Sequence, residues 1–187
     1  DYAKCRQNGA CRRIDNATVK WPELDEKDAK AYDALCNREL PDKMDHPVNC
    51  VTWHDADTFC RRSGKRLPSE AEWEYATRGP HGRVYPWGDE TPTEKHLNLC
   101  GKECKAWAKA AGVDVWTKLD TDDGYPATAP VGSFPGGKSR FGPFDVVGNV
   151  WEWVGDWEGK YSAKDAKNPT GPTSGDAKVV RGGGWNG

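Results

Sequence analysis

Six of the seven cysteines in this 187-residue chain fall into close pairs, Cys5 with Cys11, Cys36 with Cys50, and Cys100 with Cys104. Such clustering points to disulfides formed in an oxidising compartment, because reducing compartments keep thiols free. It leaves Cys60 alone. The chain also carries 10 Trp, 21 Gly and 13 Pro, which favours an irregular body held by aromatic packing and turns over one built from long helices. One sizeable core is within reach of this length, so a single domain over residues 1–187 is the expected organisation.

The net charge of −2 gives no basic surplus for nucleic acid, and no apolar run approaches the roughly 20 residues that cross a bilayer. No signal peptide is visible at Asp1-Tyr2-Ala3-Lys4.

Local signals are clearest between residues 47 and 77. Pro47 keeps the approach extended, and Thr52 with Asp55 caps a helix running from Trp53 towards Arg62. Ser69 and Glu72 form a capping box that opens a second helix from Glu70 to Thr77. Trp53, Ala56, Phe59 and Cys60 on the first helix, and Ala71, Trp73, Tyr75 and Ala76 on the second, predict faces packed against a sheet. Asp25 to Leu35 predicts a short surface helix with a solvated charged face. Ala106 to Ala111 predicts a helical turn, and Val146–Val154 and Lys178–Arg181 are the strand candidates. Turn signals stand at Asp123-Gly124, Pro135-Gly136-Gly137, Gly142-Pro143 and Asn168-Pro169. Asn16-Ala17-Thr18 fits the glycosylation pattern, a short and common signal.

Several longer blocks recur in a fixed order. His46-Pro47-Val48-Asn49-Cys50-Val51-Thr52-Trp53 is followed by Lys65-Arg66-Leu67-Pro68-Ser69-Glu70-Ala71-Glu72-Trp73-Glu74-Tyr75-Ala76, then by Tyr85-Pro86-Trp87-Gly88-Asp89-Glu90 and Ala129-Pro130-Val131-Gly132-Ser133-Phe134. Phe144 to Trp153 and Val180 to Trp185 close the series. Together they resemble the formylglycine-generating-enzyme family, also called the sulfatase-modifying-factor family. That resemblance implies an α+β, C-type-lectin-like fold, loop-rich, with short strands and a few helices.

The resemblance also implies two calcium sites. Calcium takes about 6 to 8 oxygens and mixes carboxylates with backbone carbonyls. The first site would use the side chains of Asn98 and Asp123 with the carbonyls of Leu99 and Tyr125. The second would use the carbonyls of Asp145, Gly148 and Val150 with the Glu152 carboxylate. Read without the family, Asp123 before Gly124 also fits a simple turn, and Glu152 between two Trp residues also fits a core pair with Arg181. A carboxylate so flanked is costly to bury unpaired, so Glu152 needs some cation. A zinc reading of His96, Cys100 and Cys104 lacks a clear fourth ligand and is disfavoured. His46, His54 and His81 stand in separate blocks and form no metal array.

Catalysis is where the chain departs from the family. Enzymes that oxidise a substrate cysteine to formylglycine carry R-G-G-S-x-x-C and a second cysteine beyond it, thiolates of the kind that select Cu(I). Here Arg181-Gly182-Gly183-Gly184-Trp185-Asn186-Gly187 puts Gly184 at the serine and Gly187 at the first cysteine. No copper is expected. The favoured reading is a non-catalytic, extracytoplasmic (periplasmic, lipoprotein or secreted) module that binds a protein or small ligand, with a larger assembly open to it. The alternative is a formylglycine-generating-type oxidase, or a sulfoxide-synthase-type enzyme, with its reactive residues in another segment. Trp107, Trp116, Trp157 and Tyr161 are candidates for a recognition surface. In the family, the cysteine aligned with Cys60 often bridges to a C-terminal G-F-R-C segment. The family's opening E-V-T-N-x-x-Y element and its closing strand are not in the sequence, so a domain incomplete at both ends is expected.

Overall fold

The computed structural model describes residues 2–11, 24–37, 40–115, 120–162 and 167–186. The Asn16-Ala17-Thr18 sequon, Trp116 and Gly187 lie outside them. Five helices are present among the described residues: α1 (Tyr2–Gln7), α2 (Glu26–Asp33), α3 (Trp53–Arg62), α4 (Glu70–Arg78) and α5 (Lys102–Ala111). One antiparallel ribbon joins β1 (Glu152–Trp157) to β2 (Lys178–Arg181), and most of the remaining described residues are turn and irregular backbone.

The cap signals act as read. Thr52 accepts from the backbone of Asp55 while the Asp55 carboxylate accepts from the backbone of Thr52, and Ser69 and Glu72 do the same for α4. Arg66 adds a fork onto Glu72, with both nitrogens 2.7 Å from the carboxylate oxygens. These reciprocal bonds satisfy first-turn N–H groups that the helix itself leaves open.

α4 lies against the ribbon through Trp73, which packs with Val146, Val154 and Val179. Tyr75 departs from the expected buried face. It is 54% exposed and stacks on Phe141 at 5.2 Å. α3 is fixed by two indoles: Trp53 Nε1 donates to the Val154 carbonyl at 2.7 Å, and Trp153 Nε1 donates to the Val51 carbonyl at 3.0 Å.

A second apolar cluster gathers Cys100, Cys104 and Trp185, with Tyr32, Leu35 and Trp107 packed against it. α2 therefore does more than present a solvated face, since Tyr32 packs 6.1 Å from Trp185. α5 begins at Lys102, a turn earlier than expected, with Gly101 as N-cap and no side-chain cap bond. The three close cysteine pairs are disulfides, and Cys60 is a free, half-buried thiol on α3. No described helix is long and apolar enough to cross a membrane.

Candidate cation sites and the aromatic cleft

The segment from 145 to 151 is not the strand its composition suggested. Asp145, Gly148 and Asn149 have φ of 57°, 79° and 64°, so the chain turns repeatedly and β1 starts only at Glu152. At Gly148 a Cβ would lie 2.3 Å from the Asn98 carbonyl oxygen, and the positive φ independently favours glycine. The turning backbone leaves the carbonyls of Asp145, Gly148 and Val150 with no hydrogen-bond donor among the described residues.

Two carboxylates adjoin these carbonyls in sequence. Glu152 accepts from Trp73 Nε1, and burial pushes its carboxyl up to about 7, against the Trp73 bond and with help from the nearby Asp145 charge. Asp145 Oδ2 accepts from the Gly132 backbone at 2.7 Å, whereas its buried Oδ1 has no partner. Burial raises Asp145 as well. Arg181 does not supply the missing cation. It stands opposite Glu152 in the β1–β2 register, yet its guanidinium lies over the Trp73 ring and reaches Glu70 at 3.7 Å and Glu74 at 3.5 Å. The core pair of Glu152 with Arg181 is thus replaced by a surface bridge.

The other four predicted residues converge in the same way. Asp123 draws two strands of loop together, accepting from Leu99 N at 3.0 Å and from Tyr125 N at 2.9 Å. Burial nevertheless pushes it up to about 6, with Glu103 and Asp122 adding like charge. Asn98 is 1% exposed; its Nδ2 donates to Ala127 O and Asn149 Oδ1, while its Oδ1 has no partner. The carbonyls of Leu99 and Tyr125 receive no donor among the described residues. The first group therefore offers the Asn98 amide oxygen and two carbonyls without donors beside the Asp123 carboxylate. The second offers Asp145 Oδ1 and three carbonyls without donors beside the Glu152 carboxyl, and both sets are the donor chemistry of a hard cation such as calcium. Buried polar atoms without partners are otherwise rare and costly.

Asn149 links the two groups and was not singled out from the sequence. Its Oδ1 accepts from Ala129 N at 2.9 Å and from Asn98 Nδ2, its Nδ2 returns a bond to Ala129 O, and its N–H donates to Asn98 O. Its own carbonyl receives the Trp185 N–H at 2.9 Å. The signal available beforehand was an Asn directly after Gly inside an apolar run, a pair that suits left-handed backbone.

Zinc binding at His96, Cys100 and Cys104 is excluded by chemistry already in use. The two sulfurs are bonded to each other, and His96 stacks on Trp87 at 4.6 Å. The aromatic candidates divide. Trp107 packs edge-on against Trp185 and Tyr32, and Trp157 lies under Lys178 Nζ at 3.8 Å. Tyr161 is 83% exposed and bonds Glu70 through its hydroxyl.

The rings that do surround open space are others. A cleft of about 680 Å³ is walled by Tyr32, Trp53, Trp151, Trp153 and Trp185, with Asn49, Asn149, Asn186 and Thr52 as its polar groups and no charged side chain among the described residues of its lining. The extended segment entering α3, the 145–152 turn and the Gly184-Trp185-Asn186 stretch all meet there.

Residues 2–187 match the sulfatase-modifying factor enzyme 1-like domain. The chain belongs to that family. It is 40% identical over 146 residues to the formylglycine-generating enzyme of Mus musculus, which covers 76% of this chain and 36% of that protein. It is 37% identical over 147 residues to the inactive C-alpha-formylglycine-generating enzyme 2 of Bos taurus, covering 78% of this chain and 40% of that one. Among solved structures, PvdO from Pseudomonas aeruginosa is similar with a TM-score of 0.56 at 30% identity, over 76% of this chain and 51% of that one. The chain thus spans about two fifths of the length of the two formylglycine-generating-enzyme relatives.

Within this sulfatase-modifying-factor domain, Gly184 and Cys50 of the cleft wall are both fixed by their neighbours. A side chain at Gly184 would start 2.9 Å from Asn186 Oδ1 and 3.1 Å from Trp151 Cδ1, so the Trp151 indole closes over the backbone there. Cys50 is the cysteine in the lining, and its sulfur is bonded to Cys36. The Cys60 thiol is held protonated by burial, away from the cleft lining.

Proposed function

We propose that this domain is a calcium-stabilised, non-catalytic, extracytoplasmic binding module of C-type-lectin-like architecture, whose aromatic cleft receives an uncharged, apolar segment of a partner molecule. One observation carries the reading: the cleft is walled by tryptophans, while its cysteine, Cys50, is locked in a disulfide and Gly184 stands at the family's serine position. Oxidation of a substrate cysteine on copper needs free thiolate ligands, and the described residues of this wall carry none. Flat aromatic surfaces bury large area with little loss of side-chain freedom, which suits recognition.

The cations act on the backbone. Asn98, Leu99, Asp123 and Tyr125 would hold one, and Asp145, Gly148, Val150 and Glu152 the other. Bound calcium supplies a positive charge that several oxygens can share without a fixed geometry. The chain's own residues then transmit that order to the cleft, since Asn149 bonds Asn98, Ala129 and Trp185 together. Three disulfides support the extracytoplasmic part of the reading.

The test is to incubate the protein with copper, oxygen and a cysteine-containing sulfatase-type peptide. An unchanged peptide thiol is the expected result. Formation of a peptide aldehyde would establish the oxidase reading instead.

A further inference from the structure

The first turn of α5 brings one more carboxylate to the first group. Lys102 N donates to Thr121 O at 2.9 Å, and Leu99 N donates to Asp123, so the segment 120–125 is tied both to the helix start and to the Asn98-Leu99 pair. The contact is close enough that a Cβ at Gly101 would lie 2.3 Å from Thr121 O. Cys100 and Cys104 are bonded across the same turn, which fixes the direction of the residues between them. Glu103 is one of these.

The Glu103 side chain folds back towards that loop. Its Oε1 accepts from Gly101 N at 3.2 Å, and Oε1 and Oε2 lie 2.9 and 3.2 Å from the site of a Gly101 Cβ. Oε2 is buried and has no partner. The partial positive end of α5 offsets some of this charge but provides no donor to Oε2. Asn98 gives the independent indication of a ligand, because it is 1% exposed and its Oδ1 is also unpartnered. With Nδ2 committed to Ala127 and Asn149, Oδ1 is left on the other edge of the amide. Two carboxylates, Glu103 and Asp123, are thus gathered around one loop junction with no lysine or arginine paired to either among the described residues.

We propose that Glu103 is an additional ligand of the cation held by Asn98, Leu99, Asp123 and Tyr125, so that this site includes the disulfide-closed first turn of α5. The inference rests on the calcium reading of that site. Its consequence is a site with two carboxylates, and higher ligand charge strengthens calcium binding. It also makes the Cys100-Cys104 turn part of the cation's support rather than a separate staple.

The experiment is calorimetric titration of calcium into the chelator-treated full chain, comparing wild type, Glu103→Gln, Asp123→Asn and the double variant. Wild type should bind two ions. Glu103→Gln should weaken one of them by tenfold or more and leave the other unchanged, with an unaltered melting temperature in chelator showing that the fold is intact. Because both carboxylates serve one ion, the two substitutions should combine non-additively in the double variant. Two ions of wild-type affinity in Glu103→Gln, or strictly additive losses, would overturn the role of Glu103 while leaving the calcium reading standing. No calcium binding by wild type would overturn both.

Discussion

Glu152 and Arg181 face each other across the β1–β2 ladder without forming an ion pair. The arginine turns over the outer face of Trp73 to Glu70 and Glu74, and the glutamate takes the Trp73 indole N–H. One ring thereby separates the Arg181 surface bridge from the buried Glu152 carboxyl. The arrangement leaves Glu152 and Asp145 close together with no cationic side chain paired to either among the described residues, which is stable only with protonation or a bound ion.

That relationship sets a pH dependence. Burial raises the folded-state value of Glu152 from 4.5 to about 7, so between these values the cation-free folded protein holds a proton that the unfolded chain has released. Its stability should therefore fall as pH rises from 4.5 to 7, by on the order of 3 kcal/mol for this group. Burial holds His46 below its ordinary value, which slopes the other way, so the comparison to make is with Glu152→Gln. Chelator-treated wild type should lose stability relative to Glu152→Gln across this range in denaturant titrations. Parallel curves would show that Glu152 stays ionised without a cation.

Asn149→Ala removes acceptors and donors at the junction of both sites. It strands Ala129 N and Ala129 O and takes from Asn98 Nδ2 one of its two acceptors, Ala127 O remaining. A loss of about 2 to 4 kcal/mol is expected in urea unfolding. A loss below about 0.5 kcal/mol would mean that the junction does not couple the loops.

Gly148→Ala should be as damaging through backbone alone. The new Cβ meets a main-chain oxygen, Asn98 O, and the left-handed φ of 79° is strained for alanine. A drop in melting temperature of several degrees or more is expected, corresponding to about 2 kcal/mol or more.

Trp185→Ala links stability to the cleft. Trp185 is 6% exposed, contacts Tyr32 and Trp107, packs on the Cys100–Cys104 disulfide, and forms part of the cleft wall. Truncation should cost about 3 to 5 kcal/mol. Trp151→Ala, at a 52% exposed ring of the same wall, should leave the melting temperature nearly unchanged while weakening any apolar ligand, read by quenching of the remaining tryptophans.

The parts of this molecule that were legible in its sequence are those specified locally. Thr52, Ser69 and Glu72 announce their helices because a cap is a contact between residues three apart. The disulfides join cysteines 4, 6 and 14 residues apart, so proximity in sequence was a sound guide. Val146 to Trp151 was misread because an apolar run does not reveal that Gly148 and Asn149 take left-handed backbone. The cleft wall was missed for a different reason. Tyr32, Trp53 and Trp151 are remote in sequence, and nothing in the spacing of the rings says which of them share one space. The eight candidate ligand residues came from a family resemblance, and the oxygens left without donors are what the fold adds to it.

The most direct test of the cation-stabilised scaffold is the metal content and melting temperature of the purified, dialysed chain before and after a calcium chelator. Two calcium ions per chain and a marked fall in melting temperature on chelation are the predicted result. A folded protein that contains no calcium and melts identically with chelator would contradict the account.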